Sequence, residues 1–345
     1  MRSYWITTPR LGFAVWTPDD REAARALWCD PEVTRYIGRR PMTPAQADER
    51  LAAEIDRQAA YGMQYWPLFS LASGAFVGCC GLRPWDSEPG DTGAGVFVLG
   101  FHLLPAYWGQ GYATEAARAV MNHAFTALHA DGLYAGHHPD NDASAHVLQK
   151  LRFRRTRADY YPPTGLYHPA WRYARERIET DRLLLRPWQP SDAEPLARQA
   201  NDVRIWNNVR DRFPHPYTRT DADTFIALVS GKRPPRDFAV VVGDETAGGI
   251  GYVPGTDGAH ASAEIGYWLG EAYRGRGIMS EAVDLLAEHI FATTDIRRLV
   301  ASVFAGNAAS MRVLEKAGFR RIGIRCKAVV KDGHAIDLHD YERNR

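Results

Sequence analysis

Cysteine is scarce: the 345 residues hold four, Cys29, Cys79, Cys80 and Cys326. Their spacings fit neither a disulfide framework nor a zinc site. Cys79 and Cys80, adjacent in a predicted strand, send their side chains to opposite faces, so no metal is expected. Charge of one sign is also missing. Lys and Arg number 42 against 41 Asp and Glu, for a net charge of +1, which supplies no field for wrapping nucleic acid. No apolar run approaches the roughly 20 residues that span a bilayer, so no membrane partner is expected. The opening Met1-Arg2-Ser3-Tyr4-Trp5-Ile6 lacks the apolar stretch and small-residue cleavage site of a secretory leader. A reduced, cytoplasmic setting follows as the expectation, with the chain a monomer or homodimer. Two phosphate-binding signatures are absent as well. There is no G-x-x-x-x-G-K-[ST], and no complete G-x-G-x-x-G following a first strand.

What the chain does hold is ordinary core-forming composition, 45% hydrophobic and 24% charged, and a length that suggests two domains. It also repeats itself. Tyr107-Trp108-Gly109-Gln110-Gly111-Tyr112-Ala113-Thr114-Glu115-Ala116 matches Tyr273-Arg274-Gly275-Arg276-Gly277-Ile278-Met279-Ser280-Glu281-Ala282, an offset of 166 residues (109 to 275). The same offset aligns Asn141 with Asn307, Ser144 with Ser310, Leu148 with Leu314, Lys150 with Lys316 and Phe153 with Phe319. Nearer each start, Pro9-Arg10-Leu11 matches Asp181-Arg182-Leu183 at an offset of 172 (10 to 182), a drift that loop-length differences would give. Two long copies indicate a duplicated domain, with boundaries expected at 1–175 and 176–345.

Each copy reads in the same order. A strand (Gly12 to Trp16; Leu183 to Pro187) leads to a helix (Asp19 to Trp28; Ser191 to Gln199). A second helix follows, which Thr43 caps and Pro44 opens in copy one. Strands are expected at Trp66 to Ser70, Phe76 to Leu82 and Val96 to Leu103, and at Phe238 to Val242, Ala247 to Tyr252 and Ala263 to Leu269. Then comes a glycine turn running into an amphipathic helix, whose apolar face in copy one is Ala117, Val120, Met121, Ala124, Phe125 and Leu128. A strand, a helix from about Ser144 or Ser310, and closing strands complete each copy. Such mixed order indicates an α+β class.

The glycine turn carries the chemistry. Backbone N–H groups at a helix start have no helical partners, and the helix dipole favours negative charge there. Glycine lets a phosphate approach without a β-carbon in the way. The turn therefore suits a pyrophosphate. At these residues the chain resembles the GNAT superfamily of acetyltransferases, whose signature R/Q-x-x-G-x-G/A lies at the pyrophosphate of acetyl-CoA. Copy two departs from it at Met279 and copy one at Trp108, and both departures resemble the branch that includes ribosomal-protein N-terminal acetyltransferases. The resemblance extends to Ala263-Glu264-Ile265-Gly266-Tyr267-Trp268-Leu269, Gly306 to Ser310 and Leu314 to Phe319, and in copy one to Trp28 to Val33 and Asp140 to Ser144. It implies two tandem domains, each a central mixed, twisted sheet flanked by helices, with two strands splayed for the pantetheine arm. The cofactor-binding set it implies is Leu269, Arg274, Gly275, Arg276, Gly277, Ile278, Met279, Ser280 and Asn307. In copy one the set is Leu103, Trp108, Gly109, Gln110, Gly111, Tyr112, Ala113, Thr114, Asn141 and Ser144.

The reaction it implies is direct attack of an amine on the acetyl-CoA thioester. Deprotonating an α-amine at pH 7 costs roughly 1 kcal/mol, and a lysine about 4–5, so a general base helps. Glu264 is the candidate base. Its counterpart Val98 cannot move a proton, and His102, His137 or His138 could substitute in copy one, although each also reads as an ordinary strand residue. Ser310 is the candidate hydrogen-bond donor to the departing thiolate, with helix capping as its bland role, shared by Asn307, Asn141 and Ser144. The acceptor side is expected at Trp206, Asn207, Asn208, Phe213, His215 and Tyr217 in copy two, and at Tyr36 with Arg39-Arg40 in copy one. Arg152, Arg154, Arg155 and Arg157 read as a solvated strand face, with contact to the 3′-phosphate of coenzyme A as the alternative for one of them. The acceptor, a small molecule or peptide with a primary amine, stays open. So does the alternative that one or both copies are non-catalytic acyl-CoA-binding sensor or scaffold modules.

Overall fold

A computed structural model describes residues 2–38, 40–85, 95–255 and 261–345. The chain divides into two compact units, Met1–Ala174 and Arg175–Arg345.

The first unit runs β1 (Ile6–Thr7), β2 (Leu11–Phe13), α1 (Arg21–Trp28), α2 (Pro31–Thr34), α3 (Pro44–Tyr61), β3 (Tyr65–Ser70), β4 (Phe76–Pro84), β5 (Val96–Leu103), α4 (Tyr112–Thr126), β6 (Gly132–Gly136), α5 (Asp142–Lys150), β7 (Arg154–Tyr161) and β8 (Leu166–Ala174). Its eight strands form one sheet in the order β1-β2-β3-β4-β5-β6-β8-β7. The second unit runs β9 (Ile178–Glu179), β10 (Leu184–Pro187), α6 (Ala193–Ala200), α7 (Val203–Trp206), α8 (Arg219–Val229), β11 (Asp237–Val242), β12 (Glu245–Pro254), β13 (Ser262–Leu269), α9 (Ile278–Thr293), β14 (Arg298–Phe304), α10 (Ala308–Lys316), β15 (Arg320–Lys331) and β16 (His334–Asn344). Its sheet has the same order, β9-β10-β11-β12-β13-β14-β16-β15. Both units are mixed α+β sheets flanked by helices.

Local chemistry explains the element limits. Thr43 and Gln46 close a capping box ahead of α3, Pro44 takes the first position, and Gly62 ends the helix at φ +68. The strand expected from Gly12 to Trp16 is shorter and earlier. Ala14 N–H still reaches the Pro67 carbonyl at 3.0 Å, but Pro67 has no N–H to return the bond. The helices expected from Asp19 and Ser191 begin as single tight turns, because Asp20 and Asp192 accept the N–H of Thr17 (2.9 Å) and Gln189 (2.8 Å). The four-residue helices α2 and α7 were not expected. Asp30 and Asp202 cap them, accepting from Glu32 N and Arg204 N at 2.8 Å each.

One face of the second sheet packs Leu185, Val240, Ile250, Ala263 and Ile265 against Ala282, Val283, Leu286 and Ile290 of α9. The other packs Ala239, Val241 and Trp268 against α6 and α8. Strands β13 and β14 run parallel, and their pairing covers only Ser262–Glu264 against Arg298–Val300. Beyond it, Ile265–Leu269 pair with β12 and Ala301–Phe304 with β16. The sheet is therefore split at Glu264 and Val300. In the first unit β5 and β6 pair over Val96–Val98 and Gly132–Tyr134 and part in the same way. Among the described residues no helix is long and apolar enough to cross a membrane, and no group of three or more His, Cys, Asp or Glu could hold a metal ion.

Candidate functional site

Each split strand ends in the glycine turn. Gly275 and Gly277 have φ of +75 and +78, and Gly109 and Gly111 have +72 and +81, a conformation that side chains rarely tolerate. A β-carbon would meet nothing within 4 Å at Gly275 or Gly109, and only an arginine nitrogen at 4.0 Å beside Gly277 or 3.6 Å beside Gly111. The space is open for a ligand. Gly277 and Gly111 are the N-caps of α9 and α4 and, having no side chain, supply no cap to either helix start. First-turn N–H groups at Ile278, Met279 and Ser280, and at Tyr112, Ala113 and Thr114, are left for an anion. The residues present fit a pyrophosphate.

The residue ahead of each turn behaves alike despite its different chemistry. Arg274 Nε donates to the Leu269 carbonyl at 3.0 Å, and Trp108 Nε1 donates to the Leu103 carbonyl at 2.7 Å. Arg274 also pairs with Asp202 at 2.8 Å. Arg274 and Trp108 thus make the same bond back to the end of the strand that precedes the turn. Arg276 between the glycines is exposed. Gln110 donates to the Ala106 carbonyl at 2.8 Å.

Glu264 occupies the last parallel pair before the split. By strand alternation it lies on the Trp268 side, and Tyr267 and Leu269 lie on the α9 side. Its carboxylate is partly exposed and pairs with Arg210 at 3.0 Å. On the opposite face Tyr267 hydroxyl and Ser310 Oγ are 2.8 Å apart, and the same hydroxyl is 3.2 Å from the Ser310 carbonyl. Asn307 caps α10 by accepting from Ser310 N at 3.0 Å, as Asn141 accepts from Ser144 N at 3.1 Å before α5. Burial pushes the Tyr267 phenol well above its usual range, although its hydrogen bond to Ser310 pulls the other way. It therefore keeps its proton near neutral pH. Tyr267 escaped the sequence reading as a site residue. The signal was present in the repeat, where Phe101 stands at its place and has no hydroxyl.

The first unit lacks both chemical groups, having Val98 and Phe101. Of the histidines considered as substitutes, His102 and His137 are engaged by their neighbours. Burial, with Arg50 and Arg83 nearby, pushes His102 well below its usual pKa, and its Nδ1 is engaged with Trp28 Nε1 (3.4 Å) and Cys79 Sγ (3.7 Å). His137 is buried, which lowers its pKa, and its Nδ1 lies 2.8 Å from the His138 carbonyl. His137 and His138 are not strand residues: β6 stops at Gly136 and Pro139 follows. His138 instead lies tilted against Tyr36 and edge-on to His168, with ring centroids 5.3 and 5.5 Å apart. On the expected acceptor side of the second unit, Tyr217 belongs to the α6–α8 core with Phe213 packed on it. Trp206 faces His215 (5.7 Å) and Lys331, whose Nζ is 3.8 Å from the indole centroid. Asn208 is spent on the Arg204 carbonyl, and Asn207 is exposed. Of Arg39-Arg40, Arg39 lies outside the described residues and Arg40 is exposed. Arg154, Arg155 and Arg157 are exposed along β7, as a solvated face requires.

The acetyltransferase (GNAT) domain model matches residues 10–154 and again 182–320. The chain is 27% identical over 151 residues to the uncharacterized N-acetyltransferase p20 of Bacillus licheniformis, covering 44% of this chain and 82% of that protein. It is 31% identical over 168 residues to the uncharacterized N-acetyltransferase YoaA of Bacillus subtilis, covering 48% and 94%. Among solved structures it is similar to a RimL ribosomal L7/L12 alpha-N-protein acetyltransferase in complex with coenzyme A, at 24% identity and TM-score 0.44, covering 49% of this chain and 98% of that one. With the domain model matched over both halves, the chain belongs to the GNAT acetyltransferase family and carries its domain twice.

Proposed function

We propose that the second unit transfers an acetyl group from acetyl-CoA to a primary amine, with Glu264 as general base and the Tyr267 phenol, held by the Ser310 hydroxyl, as hydrogen-bond donor at the leaving sulfur. The observation that carries this is the pairing of groups across the split: a carboxylate where β13 and β14 part, and a hydroxyl pair on the opposite face. The donor supplies the thioester. The turn at Gly275 and Gly277 seats its pyrophosphate, and the split admits its arm.

Glu264 takes a proton from the acceptor nitrogen, directly or through one water. An acceptor ammonium has to displace Arg210 from this carboxylate before Glu264 can take its proton. The Tyr267 phenol, held protonated by burial, stabilises negative charge developing on sulfur, and Ser310 Oγ orients it. Glu264→Gln tests the assignment. We expect kcat to fall about 10²-fold or more with the affinity for acetyl-CoA unchanged. Unaltered turnover at saturating acceptor would remove Glu264 from the role.

A second reading applies to the first unit alone: a module that binds acyl-CoA without turning it over. Val98 and Phe101 favour it, since the glycine turn persists there while both proton-handling groups are gone.

A further inference from the structure

We infer that Arg182 and Arg10 are positioning residues that latch the two glycine turns into the conformation that receives a pyrophosphate. They come from the start of each unit, far from the turns in sequence. Arg182 Nη2 donates to the carbonyl of Arg276, the residue between the two glycines, at 2.5 Å. Its Nη1 donates to Glu281 in the first turn of α9 at 3.0 Å, and Thr180 Oγ1 donates to the other oxygen of Glu281 at 2.6 Å. The first unit builds the same knot. Arg10 Nη1 donates to the carbonyl of Gln110 at 2.9 Å and Nε to Glu115 at 2.6 Å. Thr8 Oγ1 donates to the second oxygen of Glu115 at 2.6 Å, joined there by Arg10 N at 3.0 Å.

The knot does two things. A carbonyl held by a guanidinium points away from the ligand side. That fixes the peptide between the glycines, so that its N–H and those of the first helical turn face one way. The second effect is electrostatic. A first-turn carboxylate suits the helix dipole but would repel a phosphate seated on the same N–H groups. The arginine pairs with that carboxylate and offsets it. A forked side chain is needed to hold a carboxylate and a carbonyl together, which a lysine ammonium cannot match in geometry. The nearest protein atom to a β-carbon built on Gly277 or Gly111 is a nitrogen of this arginine, so the latch lies against the glycine that caps each helix.

The inference rests on the turns being pyrophosphate seats, and its test separates the two. Coenzyme A is titrated calorimetrically into the full chain and into R182Q, R182K, R10Q and the R10Q/R182Q double variant. We expect each single glutamine variant to weaken one binding equivalent about tenfold or more and the double variant to weaken both. R182K should fall nearly as far as R182Q. Equal affinity in R182Q and the unaltered chain would overturn the latch, and so would full affinity in R182K, because charge alone would then suffice. No binding by the unaltered chain would reject the pyrophosphate seat itself, and the latch with it. A general loss of structure is told apart with S-acetyl-pantetheine, which has the thioester and arm but no pyrophosphate. Turnover with that donor should fall much less in R182Q than turnover with acetyl-CoA, whose KM rises. An equal loss with both donors would overturn the positioning role.

Discussion

At the scale of single residues, the second unit is set apart by two side chains at strand positions where the first has none of their chemistry. Glu264 replaces Val98 and Tyr267 replaces Phe101. The tyrosine change adds one oxygen, and that oxygen makes the 2.8 Å contact to Ser310. Tyr267→Phe keeps the ring that packs against α9 and removes only the donor. A hydrogen bond to a charged partner is worth about 1.5–3 kcal/mol, so we expect single-turnover acetyl transfer to slow by about tenfold or more with acetyl-CoA affinity retained. Stopped-flow detection of thiol release reads this directly. An unchanged rate would leave Ser310 as the donor, which Ser310→Ala would then show. Sequence made some of these residues legible and not others. Gly275 and Gly277 declare themselves, because a positive φ beside a helix start is a local demand. Tyr267 does not, because its partner lies 43 residues away and an aromatic in a strand reads as core. Trp108 looked like a departure from the family pattern. Its indole N–H performs the bond to a strand-end carbonyl that the Arg274 guanidinium performs in the other copy, a likeness of function that residue identity conceals.

At the scale of elements, α9 carries a consequence of its own burial. Most of its residues are buried, among them His289 at 4% exposure, with the Phe238 ring 6.0 Å away. Burial chiefly, and Arg175 in addition, lowers the His289 pKa to about 3. The unfolded chain binds a proton at this residue below about pH 6.5, whereas the folded unit does not until near pH 3. Stability is therefore whole above pH 6.5 and falls as pH drops through the window between the two values. At pH 5 the loss is about 2 kcal/mol. We expect His289→Gln to remove this dependence. Urea midpoints compared at pH 7 and pH 5 should converge between variant and parent at the lower pH, and an equal drop in both would exclude His289 as the source. Long elements such as α9 were legible from periodicity and their opening residues. The four-residue α2 and α7 were not, since one turn shows no period and only the caps Asp30 and Asp202 mark them.

At the scale of the whole chain, the duplication has kept one geometry in both units and changed the side chains beside it. The strand order, the split after one short parallel stretch, the glycine turn and its arginine are common to both. The proton-handling pair is not. Binding and turnover should then separate by variant. A valine at Gly111 or Gly277 would have to adopt a φ near +80, which costs a β-branched residue about 1–3 kcal/mol. Its β-carbon would meet no protein atom closer than 3.6 Å at Gly111 or 4.0 Å at Gly277, so the fold is not what obstructs it. The branch instead fills the space above the helix start where a phosphate would approach. We expect Gly277→Val to remove one equivalent of coenzyme A binding and all amine acetylation, and Gly111→Val to remove the other equivalent while acetylation persists. Calorimetry with coenzyme A and a thiol-release screen across amines, run on the same full-length preparations, give both readouts. Acetylation abolished by Gly111→Val would mean that the first unit turns over substrate without a carboxylate at position 98, and the division of labour between the units would have to be abandoned.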